Sequence, residues 1–325
     1  MNLRPEFEIT IGGRKVTLGA RTLLMGVLNV TPDSFSDGGL YSDASQAVGH
    51  GVELAEQGAD WIDVGGESTR PGSQPISVQE ELRRVLPVIR GLRRKLGRVP
   101  ISIDTTKAEV AEQALDAGAD ILNDVSGLRY DSRLADVASR RRVPLILMHM
   151  RGRPRTMQRQ PFARDVWRSV ARGLGTSVQH ALAAGVGRSQ LILDPGLGFG
   201  KSRRQNYELL ARLDKLQWFH LPLLIGASRK SFVQAIVAGE GLDPLPGQHS
   251  QASSWPLAQA RRVSSEPSRG ARHPNPPLLT TGDAAVVAAA ILGGAHIVRV
   301  HDPRAILPAV RIADALLAAS IQRKR

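Results

Sequence analysis

A single-domain (β/α)8 barrel is the fold this sequence predicts, and three observations carry the prediction. Eight short apolar runs, most ending in polar residues, alternate with amphipathic stretches along the chain. That alternation is the pattern of parallel strands covered by helices. A helix-like segment closing on Gly-Ala before an apolar strand recurs in "QGADWIDVG" (57–65), "AGADILNDV" (117–125) and "GGAHIVRVH" (293–301). Glycine suits the left-handed residue that follows a helix, so each repeat reads as an α-to-β joint. A length of 325 residues is also within the range of one α/β barrel.

The elements follow in order. "FEITIGGRKVTLG" (7–19) reads as a hairpin turning at Gly12-Gly13, so residues 1–20 would cap the bottom of a barrel formed by residues 21–325. Barrel strands are predicted at 23–28, "VPISID" (99–104), "VPLILMHM" (143–150), "LILD" (191–194) and "LPLLIG" (221–226), with the three Gly-Ala segments making eight. Helix-like stretches such as "DASQAVGHGVELAEQ" and "TKAEVAEQALDA" separate them. Residues 239–277 fit neither pattern. They are rich in Pro, Ser, Gln, Arg and Gly without periodicity, and read as a disordered insertion between strands seven and eight, dispensable for the chemistry.

Composition excludes several classes. A chain 42% hydrophobic and 22% charged is that of a soluble globular protein with a sizeable core. Without cysteine it has neither a disulfide framework nor a thiolate metal site. No apolar run is long enough to span a membrane and "MNLRPEFEIT" is not a signal peptide, so a cytoplasmic location is expected. The net charge of +13 is spread over amphipathic helices such as "RRVLPVIRGLRRKLGR", with no nucleic-acid-binding pattern beside it. No nucleic acid or membrane partner is expected; the charge would at most help to steer a small anion.

In such a barrel, chemistry collects at the carboxyl ends of the strands. Those ends are Asn29, Asp63 with Glu67 and Thr69-Arg70 beyond, Asp104, Asn123, His149, Asp194, Gly226 with Arg229-Lys230 beyond, then Arg299 and His301. Any one of them suits an ordinary strand end. A whole ring does not, because a buried polar group without a partner costs roughly 1–3 kcal/mol. Asp104, Asn123 and Asp194 suit a heterocycle rich in N–H donors, and Lys230 a carbonyl or ring nitrogen. Arg299 and His301 suit phosphate, and Asn29 could reach the same group or its Mg²⁺, which needs few protein ligands. "DPGLGFGKS" (194–202) lacks both phosphate-loop and dinucleotide spacing, and reads as a loop around the pocket. The loop in "LLMGVLNVTPDSFSDGG" (23–39) could be a turn, but a turn gains nothing from Phe35.

These segments, with "DVGGESTRPG", "SIDTTK", "LNDVSG", "LMHMRGRPRTMQ", "LLIGASRKSF" and "GGAHIVRVHD", together resemble the dihydropteroate synthase family, in the family's order over nearly all of residues 23–304. The resemblance implies a homodimeric (β/α)8 barrel that joins 7,8-dihydropterin-6-ylmethyl diphosphate to 4-aminobenzoate in folate biosynthesis, releasing diphosphate with Mg²⁺ assistance. It implies that Asp104, Asn123, Asp194 and Lys230 hold the pterin, that Met148 and Phe199 line its pocket, and that Thr69 touches substrate. It gives Asn29, Arg299 and His301 to the diphosphate, with Asn29 meeting the metal. Arg70 and Ser231, with Phe35 and Pro71 nearby, would form the aminobenzoate slot. The loop after Asn29 would be a lid to which Asp37 adds charge. Asp37, Arg70, Lys230, Arg299 and His301 are thus the expected catalytic set.

Two alternatives use the same fold. A pterin-binding barrel of a methyltransferase would share the Asp and Asn contacts but needs no diphosphate clamp or aminobenzoate slot, so "ESTRPG", "SRKSF" and "RVHD" argue against it. A non-catalytic pterin-binding paralogue would have lost some key motif position, and none is visibly lost.

Overall fold

The predicted hairpin leads the chain. In the computed structural model, which describes residues 4–31, 40–69, 72–157, 163–243 and 276–321, β1 (Phe7–Ile11) and β2 (Arg14–Leu18) pair antiparallel from Phe7↔Leu18 to Ile11↔Arg14. Eight further strands follow: β3 (Leu23–Asn29), β4 (Trp61–Gly65), β5 (Ile101–Asp104), β6 (Ile121–Asp124), β7 (Leu145–Met148), β8 (Leu191–Asp194), β9 (Leu224–Gly226) and β10 (Ile297–Val300). All pair in parallel in the order β8-β7-β6-β5-β4-β3-β10-β9. A parallel bridge between Leu193 and Leu223 joins β8 to the approach of β9 and closes the ring. The strands are shorter than predicted at several ends; Val99-Pro100 and Val143-Pro144, for example, precede β5 and β7. Proline has no N–H to give a ladder, so a strand starts after it.

Nine helices, among the described residues, surround the barrel: α1 (Leu40–Glu56), α2 (Val78–Leu96), α3 (Ala108–Ala117), α4 (Arg133–Arg141), α5 (Val166–Ala183), α6 (Arg203–Ala211), α7 (Ser231–Val237), α8 (Pro276–Leu292) and α9 (Pro303–Ile321). The Gly-Ala joints adopt one geometry. Gly58, Gly118 and Gly294 have φ of 103°, 115° and 103°. In each joint the Gly N–H bonds back three residues and the Ala N–H five residues, as in Ala59 N–H to Leu54 O at 3.0 Å. These bonds occupy helix-end carbonyls and turn the chain into the next strand. Residues 244–275, most of the predicted insertion, lie outside the described residues, and α8 follows them.

Side-chain parity along the strands splits the core into two layers. One face packs on the helices, as with Leu24, Leu28, Ile62, Ile103 and Val298. The other points into the barrel, where Leu23, Met25, Trp61, Ile121, Ile146, Ile192, Leu224 and Ile297 meet Ile9, Ile11 and Leu18 of the hairpin. The hairpin therefore plugs the amino-terminal end. Polar contacts fix it in place. Arg4 donates to Thr22 Oγ1 (2.6 Å), Ala295 O (3.0 Å) and Asp314 Oδ1 (3.1 Å). His296 Nδ1 accepts from Leu223 N–H at 3.0 Å, which leaves Nε2 to donate to Pro5 O at 2.9 Å. Burial lowers the His296 pKa to about 4, so this neutral ring is the form at physiological pH.

Leu18 is fully buried in this plug. Leu18→Ala should lower the unfolding free energy by about 2–5 kcal/mol, read by urea denaturation, because it empties a site that cannot collapse. A loss below about 0.5 kcal/mol would show that the hairpin does not seal the barrel.

Candidate active site

Strand register brings the polar residues to one rim. Asn29 is opposite Gly65, Gly65 opposite Asp104, and Asp104 opposite Asn123. Met148 is opposite Asp194 on the next pair. Inward parity places these residues above the apolar plug, so the barrel interior changes from hydrocarbon to polar within one layer. Asp104, Asn123, Met148 and Asp194 are buried; Asn29 is half-buried. Gly65 leaves room between them, since a Cβ there would lie 3.6 Å from Asp104 Cβ.

Arg299 ties this layer together. It rises from the middle of β10 and donates from Nε to Asp63 Oδ2 (2.6 Å) and from Nη2 to Asp104 Oδ2 (3.1 Å). Asn123 Nδ2 donates to the same Asp63 oxygen at 3.1 Å. Asp63 is fully buried, and its Oδ1 has no hydrogen-bond partner among the described residues. Burial raises the Asp104 pKa well above the usual carboxylate range, and the neighbouring Asp63 charge adds to this against the opposing pull of Arg299. Asp194 accepts from Gly196 N–H at 2.7 Å, yet burial still lifts it to about 6. Hydrogen bonds among the described residues thus direct Arg299 to two carboxylates. His301 is held separately, with Nδ1 3.3 Å from Ser228 Oγ, which in turn donates to Asp283 at 3.0 Å.

One side of the rim is apolar. Val125, Met148, Met150 and Met157 are buried together with Phe199 against them, and Lys230 Nζ lies 4.2 Å from the Phe199 ring centroid. Desolvation lowers Lys230 to about 8, with the Arg299 charge contributing. The "GLGFG" segment forms a loop that carries Phe199 to this apolar side. It passes so close to β7 that a Cβ at Gly196 would fall 2.0 Å from His149 O, and one at Gly200 2.2 Å from Arg151 O. Buried Lys201 holds the loop by donating to Gly196 O (2.7 Å), His149 O (3.2 Å) and Phe199 O (3.2 Å). Ser231 starts α7 at the rim, and Thr69 is half-buried on the loop after β4. Asp37, Phe35, Arg70 and Pro71 lie outside the described residues.

His149 does not join the ring. Met148 faces inward, so its neighbour faces out, against Gly173 of α5, where burial lowers its pKa to about 2. Asp63 stands on the ring as the sequence indicates, alternating with Trp61 and Gly65, but its pairing with Arg299 and Asn123 is not visible there. Lys201 and Ser228 carry no sequence signal for their places. A cavity of about 570 Å³ lies elsewhere, outside the barrel against α5, and is lined by exposed Arg129, Arg164, Arg168, Arg172 and His180 but by no residue of the ring. No helix among the described residues is long and apolar enough to cross a membrane.

Comparison with known proteins agrees with this geometry. The family model described as "Pterin binding enzyme" matches residues 25–301. The chain is 41% identical to the dihydropteroate synthase of Synechocystis sp. over 95% of its length and 94% of the relative's. It superposes on Xanthomonas albilineans dihydropteroate synthase with 4-aminobenzoic acid at a TM-score of 0.78, with 38% identity and coverage of 97% and 99% of the two chains. For the same enzyme in complex with 7,8-dihydropteroate the TM-score is 0.73, with 34% identity and coverage of 96% and 98%. The chain belongs to the dihydropteroate synthase family of pterin-binding barrels.

Proposed function

We propose that the strand-end ring binds a pterin methyl diphosphate and presents its methylene carbon to an aromatic amine, the dihydropteroate synthase reaction. One observation carries this reading. A buried layer of two raised carboxyls, an amide and an arginine stands at one rim beside a wall of methionine and phenylalanine. That combination suits a flat, donor-rich heterocycle better than a sugar or a peptide. Asp104, Asn123 and Asp194 accept from or donate to the pterin edge, and Lys230 faces its carbonyl side. Met148 and Phe199 cover its faces.

The amine of 4-aminobenzoate is unprotonated at neutral pH, so no strong base has to activate it. Its nitrogen lone pair forms the C–N bond as the C–O bond to diphosphate breaks. The leaving group takes that electron pair, and the nitrogen loses one proton to solvent at the open rim. The protein's work is therefore electrostatic, in stabilising the departing anion. His301, positioned by Ser228, faces that end, and Arg299 contributes from below, its charge shared with Asp63 and Asp104. Arg299 thus belongs to the pterin floor as well as to the diphosphate, a wider role than the sequence implied. Thr69 and Ser231 stand on the rim where the acceptor would enter.

The donor set also fits Mg²⁺ carried on the diphosphate. Among the described residues no group of three or more acidic or His side chains could hold a metal alone. The Asn29 carboxamide at the rim suits a cation that keeps several waters and takes its remaining ligands from phosphate. When bound, Mg²⁺ would neutralise part of the charge on the leaving diphosphate. A homodimer in the cytoplasm completes the reading; Ile312 and Leu316, exposed one turn apart on α9, support pairing.

The direct test is diphosphate release. Purified protein with both substrates should release diphosphate in step with pteroate, and omission of 4-aminobenzoate should abolish it. Pterin binding without turnover would favour the paralogue.

A second outcome follows from Asp194. Its pKa is raised by burial, so it becomes neutral at a higher pH than an ordinary carboxylate. Pterin N–H donors favour the anion. The Asp194 contribution to affinity for a pterin lacking the diphosphate should therefore be lost as pH falls through about 6, by up to about tenfold per pH unit, one proton's linkage. Asp194→Asn should bind more weakly and with a flatter profile. Calorimetry showing no change in affinity between pH 7 and pH 5 would remove Asp194 from the pterin contacts.

A further inference from the structure

The loop after β4 is held from behind by charges that the ring does not use. Lys107, from "SIDTTK", precedes α3 and donates Nζ to Glu67 and to Glu81 Oε2, the latter at 2.5 Å. Glu81 is fully buried on α2, while Glu67 lies on the loop and is about one-quarter exposed. One residue earlier, Gly66 presses on α2 so closely that a Cβ would fall 2.7 Å from Val85 Cγ1. Arg84 donates to Gly66 O at 2.9 Å and to Glu80 at 2.7 Å. The backbone is thus anchored at Gly66 and the side chain at Glu67, two residues before Thr69.

A buried carboxylate beside a second carboxylate is costly unless a cation serves both. Glu81 has little solvent to fall back on, and its Oε1 has no hydrogen-bond partner among the described residues. Without Lys107, Glu67 and Glu81 would repel each other. Glu81 is fixed on a helix, so Glu67 would be the group to move, and the loop would move with it. We propose that Lys107 is a positioning residue for the loop after β4, holding Thr69 through Glu67 and so setting affinity for the aromatic amine acceptor without touching it. Asn123, Asp194 and Lys230 rise from other strand ends and do not depend on this anchor, whereas Asp104, three residues before Lys107, lies near enough to feel the Glu81 charge. The proposal rests on the reading of the barrel as a synthase with its acceptor slot beginning at this loop.

Steady-state kinetics with each substrate varied tests it on Lys107→Met and Glu67→Ala. Both variants should raise KM for 4-aminobenzoate about tenfold or more, the signature of lost binding for one substrate. Glu67→Ala, which leaves Lys107 paired with Glu81, should keep its affinity for a pterin lacking the diphosphate within about twofold of the wild type. Lys107→Arg, which keeps the charge, should restore most of the acceptor KM. If Lys107→Met does not fold, Glu67→Ala decides alone, since its site is partly exposed. An unchanged acceptor KM in the folded variants, or an equal loss of pterin affinity in Glu67→Ala, overturns the proposal while wild-type turnover leaves the synthase reading intact. A wild type that binds pterin but releases no diphosphate overturns that reading and the proposal with it.

Discussion

The buried contact of Arg299 with Asp63 and Asp104 is the constraint on which the rest of the site depends. A barrel interior is a packed core, and this one is hydrocarbon up to the layer of Met25, Trp61, Ile121 and Ile192. Two residues further along the strands, at the next inward positions, it must become a polar floor. Two carboxylates cannot be placed there unaided, because each loses its hydration and repels the other. Arg299 resolves both problems with its planar fork, reaching from β10 to β4 and β5. Asn123 then takes its orientation from Asp63. The upward shift of Asp104 is the residue of this conflict, since burial and the Asp63 charge outweigh the arginine. A floor under such tension is poised for a ligand that brings N–H donors.

Around it the remaining walls are set by close backbone approach. The loop after β8 lies against β7, and Lys201 fastens it by three carbonyls. Burial lowers the Lys201 ammonium to about 7, so its hold on those carbonyls weakens as pH rises through that value. Phe199 is carried on this frame, and Lys230, at the start of α7, lies against its ring. On the opposite side, α2 and the start of α3 clamp the loop after β4. The catalytic face is therefore rigid at its floor and at two of its loops. The segments expected to close over it, with Asp37 and Arg70, lie outside the described residues.

Local physics made much of this legible in the sequence. The three Gly-Ala joints could be read because a helix terminus is decided within about six residues, and the structure shows the same turn at all three. Asp104, Asn123 and Asp194 were visible because each closes an apolar strand. Parity also carried more than was taken from it: Met148 facing inward requires His149 to face α5, although His149 had been placed on the ring. The partnership of Arg299 with Asp63 was not legible, since it joins residues 236 positions apart through a side chain several bonds long. Lys201 and Lys107 were hidden for the same reason, as their partners are set by how loops stack.

If Asp63 and Arg299 act as one unit beneath the proposed pterin site, a double-mutant cycle on Asp63→Asn and Arg299→Gln, read as affinity for a pterin lacking the diphosphate, will show it. Each variant should lose about tenfold or more, and the double variant should be no worse than the weaker single one. Losses that multiply, or an Arg299→Gln variant that binds the truncated pterin as the wild type does, would contradict it.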